Sequence, residues 1–152
     1  MVRSVRDTKG AHVAKKSHHD HLKQVPLFAG LDPKELDAVG QTATELDFEP
    51  GRVLMREGQR AHEMFVLIDG DVEVTKGGEH IANVGAGGFV GEMALLAHSA
   101  RNSTVTTTSQ SVILHIDGRA FGSLLERVPT IALKMLPVVA GRVVENSDHH
   151  SH

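Results

Sequence analysis

Two residues with complementary chemistry, Glu92 and Arg101, bracket the segment GEMALLAHSAR, and the glycines Gly87, Gly88 and Gly91 lead into it. A glycine turn followed by the start of a short helix frees several backbone N–H groups, which form a positive, anion-seeking concavity. A guanidinium beside such amides suits a phosphate, and a carboxylate suits the hydroxyls of a sugar. If the short helix reverses the chain, both side chains face one pocket. They then describe a ligand that is phosphate at one edge and ribose at the other. The plainer alternative is a surface ion pair between Glu92 and Arg101, worth about 0–1 kcal/mol and without further role. A dinucleotide-binding loop is a poor fit: read from Gly85, the third glycine of the pattern is replaced by Val90, and no long helix follows.

The composition narrows the field. The chain has 152 residues, 40% of them hydrophobic and 23% charged, which fits one globular domain with a single sizeable core. A formal net charge of −3 speaks against a basic nucleic-acid-binding surface, and five Phe without Tyr or Trp provide few platforms for stacking bases. The absence of cysteine removes disulfides, thiolate-bound zinc and thiol catalysis, and it fits a reducing compartment. Residues 1–26 lack the apolar core of a signal peptide, and no apolar run is long enough to span a membrane. A cytoplasmic setting is expected.

The elements that must position Glu92 and Arg101 follow from periodicity. Residues 1–22 are polar and basic and are expected to form a flexible arm. Order is expected from the stretch beginning VPLFAG, with residues 23–145 as the folded domain and residues 146–152 as a His-rich tail. Asp32, Pro33 and Glu35 predict a capped helix start with Leu36 and Val39 turned inward. Short alternating segments follow, punctuated by Pro50-Gly51, Asp69-Gly70 and Gly77-Gly78, and two Thr- and Val-rich strands come after the Glu92–Arg101 segment. Asp117 and Pro129 predict two closing helices. The second is apolar nearly all round from Ile131 to Val144, with Pro137 and Gly141 inside it. The fold class is α+β: an eight-stranded antiparallel β-roll of jelly-roll type, with a short inserted helix, N-terminal helices and two C-terminal helices.

The run Gly91-Glu92-Met93-Ala94-Leu95-Leu96, then Arg101 and Ser103-Thr104-Val105, resembles the phosphate-binding cassette of cyclic nucleotide-binding domains. The family opens this cassette with Gly-Glu-Leu-Ala-Leu and closes it with Arg-Ala-Ala-Thr/Ser-Val at the same spacing. The likeness extends from Val25 to Glu145 and takes in REGQ at Arg56 to Gln59 and LIDGDVEV at Leu67 to Val74. The resemblance implies that Arg101 pairs with the cyclic phosphate and Glu92 accepts from the ribose 2′-hydroxyl. It implies that Gly91, Met93, Ala94, Asn102 and Ser103 line the sugar-phosphate edge, with Val74, Ile81 and Ala82 as the wall beneath the base. Two departures stand out. Asn102 occupies a position that is usually Ala, Ser or Thr, and its amide can still donate. No aromatic follows Phe121, so a lid must come from aliphatic residues such as Leu133, Leu136 or Val139.

The resemblance therefore implies a non-catalytic sensor that binds a cyclic purine nucleotide, cAMP ahead of cGMP, and signals through its last helix to an unidentified protein. No cofactor, no metal and no direct DNA binding are expected. The competing reading is a docking or dimerisation module with an empty pocket, and a homodimer through Ile131–Val144 is expected on either reading. The histidines at 18, 19 and 21 and at 149, 150 and 152 read as solvated tails rather than metal ligands. His62, His80, His98 and His115 lack the paired spacing of a β-barrel metal enzyme, and His98 is placed to modulate an anionic ligand.

Overall fold

A computed structural model describes residues 20–150. Residues 20–23 are helical and Pro26–Phe28 form a 3₁₀ turn. Helix α1 (Pro33–Thr42) leads into strands β1 (Ala43–Phe48), β2 (Val53–Met55), β3 (Glu63–Asp69), β4 (Asp71–Lys76), β5 (Glu79–Gly85) and β6 (Phe89–Val90). Helix α2 (Glu92–Ala97) is followed by β7 (Thr104–Thr107) and β8 (Ser111–Asp117), then by α3 (Gly118–Arg127) and α4 (Pro129–His150).

The helix starts form as their end residues dictate. Asp32 accepts from the Glu35 amide at 2.8 Å, and the Glu35 carboxylate accepts from the Asp32 amide at 3.0 Å. This reciprocal pair satisfies two amides that the first turn of α1 would leave bare. Pro33 and Pro129 stand at first helical positions, where a missing N–H costs nothing, and Asp117 caps α3 through the Arg119 amide. Leu36 and Val39 are fully buried.

Eight antiparallel strands make two four-stranded sheets, ordered β1-β8-β3-β6 and β2-β7-β4-β5. Their facing sides enclose Phe48, Phe65, Leu67, Val72, Val105 and Ile113. A second core lies between the first sheet and the helices, with Met64, Val66, Leu114, Ile116, Phe121, Leu124 and Ile131. Successive side chains of a strand leave opposite faces. Thus β3 sends Phe65 and Leu67 into the roll, and Met64, Val66 and Ile68 to the helices. Its near-continuous apolar sequence follows from having cover on both sides.

Three boundaries differ from the sequence expectation. Leu22, assigned to the flexible arm, is fully buried, so packing begins before residue 23. A single apolar residue among polar ones reached the core because residues 20–23 are helical. The last helix continues to His150 instead of ending at Glu145, since no Gly or Pro follows Gly141 to stop it. Strand β6 has only two residues and was hidden in the glycine run before Glu92. Residues 1–19, with His18 and His19, lie outside the described residues, as do the side chains of residues 146–152. Among the described residues, no helix is long and apolar enough to cross a membrane.

Candidate functional site

Gly91 turns the chain from β6 into α2. Its φ is +90°, and a Cβ there would stand 2.9 Å from Arg101 Nη1 and 3.3 Å from the Glu63 carbonyl oxygen. Both the left-handed backbone and the close guanidinium therefore demand glycine. No side chain caps the start of α2, so its first N–H groups stay available.

The far end of the segment is pinned to the Arg56–Gln59 turn. The Arg101 amide donates to the Gln59 carbonyl at 2.8 Å, the Gly58 amide donates to the Arg101 carbonyl at 2.8 Å, and the Glu57 amide donates to Thr104 Oγ1 at 3.0 Å. The Arg101 side chain runs inward. Nη1 donates to the Gly91 carbonyl at 2.8 Å and Nη2 to the Glu63 carbonyl at 2.6 Å, with the Glu63 carboxylate 4.0 Å away. Arg101 is 4% exposed, and desolvation lowers its pKa below the ordinary arginine value, opposed by the charges of Glu63 and Glu92.

Glu92 is fully buried. Its Oε1 accepts from Arg142 Nη1 at 2.7 Å, while its Oε2 has no partner. Buried carboxylate oxygens are seldom left unpaired, because an unmet desolvation penalty is large. Glu92 and Arg101 are thus not a surface ion pair: each is buried, and each has a different polar partner within hydrogen-bond reach.

The ten residues expected to touch the nucleotide line one open cavity of about 710 Å³ counted out to its mouth: Val74, Ile81, Ala82, Gly91, Glu92, Met93, Ala94, Arg101, Asn102 and Ser103. Ile81 and Ala82 are consecutive and would leave opposite faces of a regular strand. A bulge shifts the register between Val74↔Ala82 and Thr75↔His80, and both residues reach the same wall. Sequence reasoning missed Met55, Lys76, Val84, Val90, Val105, Arg142 and Glu145, which complete the lining. Val84 lies two positions beyond Ala82 on β5 and Val105 pairs with Val74, so these two share a face with residues already identified. Arg142 and Glu145 gave no signal, because their placement depends on where α4 crosses the roll.

Two expectations are corrected here. The aliphatic lid is not formed: Leu133 and Leu136 are 66% and 58% exposed, Val139 packs on the helical core, and α4 meets the cavity with Arg142 and Glu145 instead. The helical phase turns the leucines outward. His98 does not line this cavity. It ends α2 with φ 53° and borders a separate hollow with Arg60 and Ser99. His21 lies 3.4 Å from Glu45.

Comparison with known families assigns residues 45–128, more than half of the chain, to the model of the cyclic nucleotide-binding domain. The chain belongs to this family. A putative potassium channel protein of Rhodopseudomonas palustris is 34% identical over 82% of this chain and 31% of its own length. A cAMP-dependent protein kinase regulatory subunit of Hypocrea atroviridis is 30% identical over 73% of this chain and 24% of its own length. This chain thus spans about a quarter to a third of the length of these curated relatives. Among solved structures, cAMP-bound PfPKA-R superposes with a TM-score of 0.76 at 25% identity, covering 90% of this chain and 48% of that one. The catabolite activator protein of Thermus thermophilus shares the fold with a TM-score of 0.70 at 24% identity, covering 83% and 62%.

Proposed function

We propose that this domain binds a cyclic purine nucleotide, cAMP ahead of cGMP, without chemically altering it, and signals through α4. The observation that carries the reading is the buried Glu92 carboxylate with a vacant oxygen, in the same cavity as the buried Arg101 guanidinium. In this reading Arg101 neutralises the cyclic phosphate with the N–H groups that its two carbonyl bonds leave free. The uncapped start of α2 and the amides of Gly91, Ala94 and Asn102 take the remaining phosphate and sugar oxygens. Ribose donates its 2′-hydroxyl to Glu92 Oε2. Val74, Ile81 and Ala82 form the apolar wall against the base. The preference for cAMP is supported by the cAMP-bound structure and the cAMP-dependent subunits to which the chain is similar. A cytoplasmic setting, where a downstream protein would read α4, belongs to the same proposal. Titration calorimetry with cAMP and cGMP tests it: saturable binding of cAMP supports the reading, and no heat with either nucleotide refutes it.

A second reading is favoured by one observation. Leu133, Leu136, Val143 and Val144 are exposed on one side of α4, a side that carries no charged residue between positions 133 and 144. Such a face suits a homodimer through the Ile131–Val144 helix, with or without nucleotide. Sedimentation of the free and loaded protein separates a ligand-controlled dimer from a permanent one.

A further inference from the structure

The β4–β5 hairpin supplies much of the apolar wall of the cavity, and its two ends are out of step with each other. Val74 pairs with Ala82, but the next rung joins Thr75 to His80, so Ile81 has no partner across the ladder. On the cavity side the hairpin presents Val74, Lys76, Ile81, Ala82 and Val84. Strict alternation from Ala82 would send Ile81 outward and turn His80 toward the cavity. The bulge reverses both, and Glu73 and His80 meet on the outer face with side chains 38% and 50% exposed. There His80 Nδ1 stands 2.8 Å from Glu73 Oε2, and since a carboxylate can only accept, Nδ1 carries the proton.

The same sequence has a second way to close. Without the bulge, Thr75 would pair with Ile81 and Lys76 with His80, and the turn would widen to Gly77, Gly78 and Glu79. Three-residue hairpin turns are common, so this slipped register is a competitor. It would set an imidazole in an apolar wall and expose Ile81. Three local features oppose it. Gly77 and Gly78 have φ of +60° and +82°, the left-handed pair that a two-residue turn of this hand needs. Glu57 Oε1 accepts from the Gly77 amide at 2.9 Å and holds the tip from outside the hairpin. The Glu73–His80 bond is the third, and it forms only in the bulged register, since the slip moves His80 to the other face. We infer that Glu73 and His80 are positioning residues: their bond on the outer face selects the register that sets Ile81 beside Ala82 in the wall against the base. This rests on the cyclic nucleotide reading, and adds that residues outside the cavity set the shape of its wall.

A cross-strand pair of this kind biases an equilibrium by up to about fivefold, so Glu73→Ala and His80→Ala should each weaken cAMP binding in calorimetry by about two- to fivefold. The melting temperature should hardly move, because the pair is exposed. Hydrogen exchange should quicken by a like factor in the amides of β4 and β5 and stay unchanged in β8. The exchanged pair, Glu73→His with His80→Glu, should restore both readings. A double-mutant cycle identifies the route: in an Ile81→Ala background, Glu73→Ala should cost less than about 1.5-fold further. A full additional loss there would mean that the pair acts other than through Ile81, and would overturn the inference. Unchanged exchange in β4 and β5, or cAMP affinity left intact by both single variants, would overturn it too. A wild type that binds no cAMP sinks the nucleotide reading, and the exchange experiment still decides whether the pair holds the register.

Discussion

The guanidinium of Arg101 donates to the main-chain oxygen of Glu63 at 2.6 Å, across 38 positions of sequence. A second bond to the Gly91 carbonyl at 2.8 Å fixes it from the other side. Arg101 is therefore held in place by the scaffold, which lowers the entropy that a ligand must overcome to engage it.

Removing this group should abolish most of the affinity for a cyclic nucleotide. Loss of a desolvated charge partner costs about 2–5 kcal/mol, or roughly 30- to several-thousand-fold. Calorimetry of Arg101→Ala with cAMP checks this, and a loss below about threefold would remove Arg101 as the phosphate anchor. Arg101→Lys should not rescue binding, because a single ammonium cannot span both carbonyls and a phosphate.

Gly91→Ala should damage stability and binding together. A non-glycine residue in left-handed backbone costs about 1–2 kcal/mol, and the added methyl would press on Arg101 Nη1 at 2.9 Å. Gly122→Ala is the matched control: it lies inside α3 with nothing within 4 Å of the added carbon. That change should stabilise by about 0.5–1 kcal/mol. Chemical denaturation of both variants decides; equal behaviour would contradict the geometry at Gly91.

Leu136→Glu tests the open side of α4. Leu136 is 58% exposed, so the change should leave the monomer's melting temperature nearly unchanged. A homodimer through this helix should dissociate on sedimentation. A variant that remains as associated as the wild type would place any dimer contact elsewhere.

Leu67→Ala opens a void inside the roll, where Leu67 is fully buried with Phe65, Val90 and Ile113. The expected loss is about 2–5 kcal/mol, read from the denaturation midpoint. A loss below about 1 kcal/mol would mean that the roll interior is poorly packed.

What was legible in the sequence was what short-range chemistry controls. Asp32 with Glu35, Pro33, Asp117 and Pro129 mark helix starts through bonds made within a few residues, and each acts as expected. The Glu92–Arg101 segment was legible because its glycine, acid and base fall within one short stretch, from Gly91 to Arg101. Arg142 was not, since it meets Glu92 across 50 positions and only the crossing of α4 over the roll brings them together. The lid failed for a related reason. A helix that is apolar all round does not reveal which side faces the protein, and the outward phase fell to Leu133 and Leu136. Ile81 and Ala82 share a wall only because of a bulge, whose position no periodicity announces.

The alternation along β3, with Phe65 and Leu67 facing one interior and Met64 and Val66 the other, leaves that strand no tolerance for drift. One inserted residue ahead of Met64 would exchange the contents of both interiors at a stroke and carry the Glu63 oxygen away from its guanidinium. Change in length should accumulate in the connections that carry the chain between the two sheets before and after β3, while β3 itself behaves as a fixed ruler against which the rest of the molecule is aligned.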